Sequence, residues 1–134
     1  MKKVLLTPLK QIKNPKGNIF HAMKKSDIGF SGFGEAYFTT VNSGDVKGWK
    51  RHTKMVLNLV VILGEVEFII YNEKEFLSIK LSPSKNYQRL TIEPNLWVAF
   101  RGLDDNNMLL NLASIEHDPN EAENLELSEI SYEW

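Results

Sequence analysis

The chain has 134 residues, 43% hydrophobic and 25% charged, with a formal net charge of −1 and no cysteine. That length reads as a single domain over residues 1–134, large enough to bury about two-thirds of its unfolded surface. The composition excludes disulfide and thiol chemistry, a chain basic enough overall to point to nucleic acid, and any apolar run near the roughly 20 residues of a membrane-spanning helix.

From the N-terminus, MKKVLLTPLKQIK meets charge too early for a signal peptide, so a cytoplasmic protein is expected. Glu35–Val41 (EAYFTTV) is rich in aromatic and β-branched residues and reads as a strand. VKGWKRH is a second predicted strand. Val56–Leu63 is a nearly continuous apolar run broken by Asn58, and Gly64 marks a turn or bulge before Glu65–Tyr71. Phe76–Leu81 alternates, and Arg89–Ile92, Leu96–Phe100 and Met108–Ile115 follow. Turn chemistry separates them: Asn72-Glu73-Lys74, Ser82-Pro83-Ser84, Glu93-Pro94-Asn95 and Asp104-Asp105-Asn106-Asn107. Short strands punctuated this often indicate an all-β sandwich or jelly roll. The spacing predicts little helix, a short one at Asn120–Leu127 after Asp118-Pro119. Charge is graded along the chain. Residues 1–54 hold eleven Lys/Arg against three Asp/Glu, a net of +8, whereas residues 116–134 hold seven Asp/Glu and no Lys/Arg. This reads either as a mixed solvated surface or as a basic face for an anionic ligand with the acidic tail folded elsewhere.

Between Gly44 and Gly64 the chain reads GDVKGWKRHTKMVLNLVVILG. It resembles the cupin segment G-x5-H-x-H-x4-E-x6-G, with Lys50, His52 and Leu57 on the ligand positions. One imidazole of three ligands remains, so no metal and no cofactor is expected. The wider chain resembles the dTDP-4-dehydrorhamnose 3,5-epimerase family. PKGNIFHAM is similar to its D-x-R-G-x-F segment, VKGWKRH to V-L-R-G-L-H-x-Q, and LVVILGEVEFIIY to K-L-V-x-x-x-x-G-x-V-x-D-V-x-V-D. LTIEPNLWVAF is similar to L-x-I-P-x-G-x-A-H-G-F, NLASIEHDP to A-x-x-x-Y-x-P, and ISYEW to I-x-W. The resemblance implies a metal-free cupin-type jelly-roll β-barrel, a homodimer, and a 4-keto nucleotide sugar as ligand. It also implies proton transfer through an enolate. The family's base falls on Lys50, the Gln after it on His52, the His of A-H-G-F on Val98, and the acid Tyr near Glu116 or His117.

Lys50 and His52 stand two apart in one strand and share a face. On a cavity wall they form a compact acid/base pair; on an outer face they are merely solvated. His117 beside Asp118 is a third candidate for proton transfer, or a loop cap. Lys47, Arg51 and Arg89 offer positive charge for a diphosphate. Asn58 is a buried amide that either binds substrate or anchors backbone. Tyr37 stacks on a sugar or base, assists the proton transfer, or belongs to the core. Trp97 is expected to occupy part of the cavity, and His21 to be structural or exposed.

Two functions follow. The first is an epimerase or 3,4-ketoisomerase acting on a 4-keto nucleotide sugar in surface-polysaccharide biosynthesis. The second is a noncatalytic sugar-nucleotide or carbohydrate binding module or accessory subunit. A barrel filled by Trp97 and Leu57 would favour the second. Neither needs nucleic acid or a membrane as partner.

Overall fold

The computed structural model describes residues 1–134. Twelve strands run in chain order: β1 (Val4–Pro8), β2 (Gln11–Ile12), β3 (Ile19–Phe20), β4 (Glu35–Asn42), β5 (Val46–His52), β6 (Leu57–Leu63), β7 (Val66–Tyr71), β8 (Phe76–Leu81), β9 (Gln88–Ile92), β10 (Trp97–Gly102), β11 (Asn106–Ala113) and β12 (Ala122–Asn124). One antiparallel sheet has the order β1-β9-β6-β11-β4 and the other β12-β5-β10-β7-β8, with β2–β3 as a separate small ribbon. From β4 onward the chain repeatedly crosses between the two large sheets, giving the jelly roll expected from its short strands.

The strand core of the prediction holds, with β1 added at one sheet edge. The short helix expected over Asn120–Leu127 does not form. That stretch pairs as β12 against β5, followed by a single 3-10 turn at Leu127–Glu129. Local spacing suggested a helix, but the open edge of β5 supplies backbone partners that such a short helix cannot match.

The main core lies between the sheets and includes Leu57, Leu59 and Val61 from β6, Val66, Phe68 and Ile70 from β7, and Leu90, Ile92 and Leu109. Each large side chain here contributes about 1.5–3 kcal/mol by leaving water. A second cluster, Trp49, Ile69, Trp97, Ala99 and Ile130, lies on the other side of the β5–β10–β7 sheet, with Leu125, Tyr132 and Trp134 packed against it. The C-terminal segment therefore covers one outer face. The segment around residues 22–29 covers part of the other, through Asn58 Nδ2 donating to Gly29 O. These covers explain why β6 and β7 read as continuous apolar runs rather than alternating ones: both faces are buried. Gly64 turns β6 into β7 with a φ of 74°, and a Cβ there would collide with the Asn106 carbonyl. No helix is long and apolar enough to cross a membrane.

Candidate active site in the barrel

A cavity of about 320 Å³ opens between the two sheets. Its polar lining includes Tyr37 and Thr39 from β4, Lys47, Lys50 and His52 from β5, and Asn111 from β11. Leu57, Leu59, Val98, Phe100 and Leu109 form its apolar wall. Strict alternation along β5 would put Lys47 opposite to Lys50. A bulge prevents this: Lys50 pairs with Val98 and Lys47 with Phe100, so β5 spends one residue more than β10 over this stretch. The bulge lies at Gly48–Trp49, where a Cβ on Gly48 would collide with Ala99. The fold thus gathers three basic side chains from one strand on one wall. The Lys47 ammonium donates to Thr40 O at 2.8 Å, and neither Lys47 nor Lys50 is in an ion pair.

His52 is held from behind. Its Nδ1 lies 2.5 Å from Glu121 Oε1, and the Glu121 side chain is only 2% exposed. The other carboxylate oxygen accepts the backbone N–H groups of Thr53, Lys54 and Met55 at 3.0, 3.0 and 3.1 Å. Burial alone would raise the Glu121 pKa. The hydrogen bond from His52 and the Met55 and Lys54 amides outweigh it and bring the pKa down to about 2. Glu121 is therefore an anion at neutral pH and can only accept. The proton on His52 must sit on Nδ1, which leaves the lone pair of the neutral ring on Nε2. A histidine on a cavity wall, fixed in one tautomer by a buried carboxylate, is equipped to take and return a proton.

A family model described as WxcM-like, C-terminal (FdtA) matches residues 2–126. The chain belongs to this family. The WxcM-like chain is 30% identical to a dTDP sugar isomerase from Desulfovibrio desulfuricans G20, with a TM-score of 0.89, over 93% of this chain and 85% of that one. It is 25% identical to the 3,4-ketoisomerase QdtA from Thermoanaerobacterium thermosaccharolyticum, seen as a histidine-to-asparagine variant in complex with TDP-4-keto-6-deoxyglucose. That match has a TM-score of 0.80 and covers 91% of this chain and 87% of that one. The rmlC epimerase of Mycobacterium tuberculosis shares the fold at a TM-score of 0.80 and 13% identity, over 92% of this chain and 69% of that one. No match to a curated protein was found.

Within this WxcM-like fold, Lys47, Lys50, His52 and Tyr37 meet at the cavity. The other candidates do not. Arg51 lies on the opposite face of β5, its guanidinium 4.6 Å from the Trp97 ring centroid and paired with Glu123 at 2.8 Å and Glu73 at 3.4 Å. Arg89 is completely buried away from the cavity. It donates to Asn58 Oδ1, Ala22 O and Ile28 O, and pairs with Asp27 at 3.3 Å. Asn58 shares that network, accepting also from the Thr91 hydroxyl at 2.6 Å. Both residues tie the 22–29 segment to the sheet. His117 is an exposed loop residue whose backbone N–H donates to Glu35, and it does not line the cavity. Trp97 packs in the second cluster rather than filling the barrel. The acidic tail is not folded elsewhere but lies on the basic strand, through Glu121 to His52 and Glu123 to Arg51.

Glu121, Thr39, Asn111 and Asn124 are cavity or supporting residues that the sequence reading missed. Glu121 reaches His52 across 69 positions, with no local signal to mark it. Asn111 did have one: it interrupts an apolar strand just as Asn58 does.

Proposed function

We propose that this protein is an isomerase of the 3,4-ketoisomerase type acting on a 4-keto nucleotide sugar, with His52 as its proton-transfer residue. The observation that carries the reading is the His52–Glu121 pair on the wall of an open cavity. Family membership and the likeness to dTDP-sugar isomerases support it.

The step balances with one base. His52 Nε2 takes the proton from C3 of the sugar, whose C–H is acidified by the neighbouring C4 carbonyl. The C–H electrons form a C3–C4 double bond and the carbonyl electrons move to O4. The O3 proton passes to O4 and a carbonyl forms at C3; the imidazolium exchanges its proton with solvent, and His52 then delivers a proton to C4. Glu121 holds the ring in place and stabilises the imidazolium that exists between the two transfers. Lys50, two residues along on the same wall, brings positive charge to the enolate, and Lys47 brings it to the diphosphate. The apolar wall excludes water from the sugar carbons.

The test is incubation with TDP-4-keto-6-deoxyglucose in deuterated water, followed by NMR of the sugar. The expected product carries its keto group at C3, with solvent deuterium at C4 and the C5 hydrogen retained. Deuterium at C5 would indicate 3,5-epimerase chemistry instead. Measurable binding with no exchange at any carbon would favour the noncatalytic module. Against that module, the barrel is not filled: Trp97 packs elsewhere, and Leu57 is part of a wall around open space. The proposal includes a homodimer, as the family resemblance implies; light scattering at twice the chain mass is the expected result.

A further inference from the structure

Tyr37 stands across the cavity from His52, on the opposing sheet. Its phenol oxygen accepts a hydrogen bond from Asn111 Nδ2 at 2.9 Å. The orientation of the Asn111 amide is fixed independently of Tyr37. The backbone N–H of Asn58 points at the other side of that amide, at 3.2 Å from Oδ1. A backbone N–H can only donate, so the Asn111 atom facing it must be the oxygen. Asn111 is 1% exposed, so no bulk water competes for these positions. The amide nitrogen is therefore committed to face Tyr37, and the phenol must accept. Its own proton is left over for the cavity.

We infer that Asn111 is a positioning residue which turns the Tyr37 hydroxyl into a hydrogen-bond donor for the oxygen that gains charge in the reaction. This deepens the isomerase reading and rests on it. A phenol free to rotate would spend part of its time presenting a lone pair to the substrate oxygen, which repels developing negative charge. One that already accepts from Asn111 presents its O–H. As the C4 carbonyl becomes an enolate, that hydrogen bond shortens and strengthens, so its effect falls on the transition state rather than on ground-state binding. Base and donor then sit on different sheets, facing each other across the sugar.

The near-isosteric replacement Asn111→Asp is the sharpest probe. A carboxylate at this position can still accept from the Asn58 amide, but its second oxygen also accepts. The Tyr37 proton would turn back toward residue 111 and leave the substrate. Both Tyr37→Phe and Asn111→Asp are expected to lower kcat about a hundredfold, the usual cost of one oxyanion donor, with little change in KM. The double variant Tyr37→Phe/Asn111→Asp is expected to be no slower than either single one, because both remove the same donor. Losses that multiply in the double variant, or an unchanged kcat in Tyr37→Phe, would overturn the inference.

The tyrosine Raman doublet gives a readout that needs neither turnover nor the Asn111 variant. The difference between wild type and Tyr37→Phe isolates Tyr37 and is expected to show a phenol that accepts; a donor-only pattern in the wild type would overturn the assignment. A wild-type protein that isomerises no keto sugar yet shows the acceptor pattern would contradict the enzyme reading while leaving the Asn111–Tyr37 orientation standing.

Discussion

The buried polar networks around Arg89 and around Glu121 differ in one respect that separates architecture from chemistry. Around Arg89, the donors are spent on the chain itself: Asn58, the carbonyls of Ala22 and Ile28, and Asp27, whose carboxyl is held below the usual aspartate range by the Lys24 amide with Arg89 adding to the effect. Around Glu121, the carboxylate is equally well supplied, by three backbone amides and one imidazole. Yet this network ends on the cavity wall, with one lone pair of His52 uncommitted. A closed network pins a loop to a sheet. An open one presents a reactive atom from a rigid support. Burial and hydrogen-bond count are alike in the two; the unspent valence is what differs.

Single substitutions separate the two networks. Replacing His52 by Asn removes the open valence and is expected to cut turnover about a thousandfold, with the thermal midpoint nearly unchanged. Arg89→Leu attacks the closed network instead. It takes the guanidinium donors from the Ala22 and Ile28 carbonyls and from Asp27, and leaves the Asn58 oxygen with the Thr91 hydroxyl alone, so a loss of about 3 kcal/mol in denaturant unfolding is expected, while kcat of the remaining folded protein stays near wild type. A large fall in kcat without loss of stability would show that Arg89 belongs to the site after all.

Glu121→Gln sharpens the contrast because it affects both properties. Turnover is expected to fall about tenfold to a hundredfold, since the amide no longer stabilises an imidazolium. The acid limb of the stability curve changes too. Glu121 has a folded-state pKa of about 2 against an ordinary value of 4.5. Folding therefore favours the ionised form, and stability gained from it is fully present above about pH 4.5 and lost as the pH falls toward 2. Thermal midpoints measured against pH should show a flatter acid limb in Glu121→Gln than in wild type. The smallest effect is expected from Arg51→Ala. Its ion pairs lie on the outer face and are partly solvated, so it should cost under about 1 kcal/mol and leave kcat within about twofold.

These differences also mark what could be read from the sequence. The barrel was legible because strand length, apolar runs and turn residues all repeat locally. Parity along β5 put Lys50 and His52 on one face, and both line the cavity; the same parity turns Arg51, which the sequence offered as a diphosphate ligand, to the outer face. Parity could not anticipate the bulge that brings Lys47 to the same wall, because that depends on how closely Gly48 approaches Ala99 on a neighbouring strand. Asn58 and Asn111 carry the same signal, a polar break in an apolar strand. One faces the loop cover and the other the cavity, and only the packing of the sheets decides which. Glu121 looked like one carboxylate among many in an acidic tail. Its role arises from β12 pairing along β5, a contact between distant parts of the chain.

In the proposed reaction His52 moves the proton between sugar carbons. The most direct measurement is the rate at which solvent deuterium enters the sugar in TDP-4-keto-6-deoxyglucose, compared among wild type, Arg51→Ala and His52→Asn. Exchange in wild type and Arg51→Ala at similar rates, with none above background in a folded His52→Asn protein, is the predicted result. Exchange that persists at the wild-type rate in His52→Asn would contradict it.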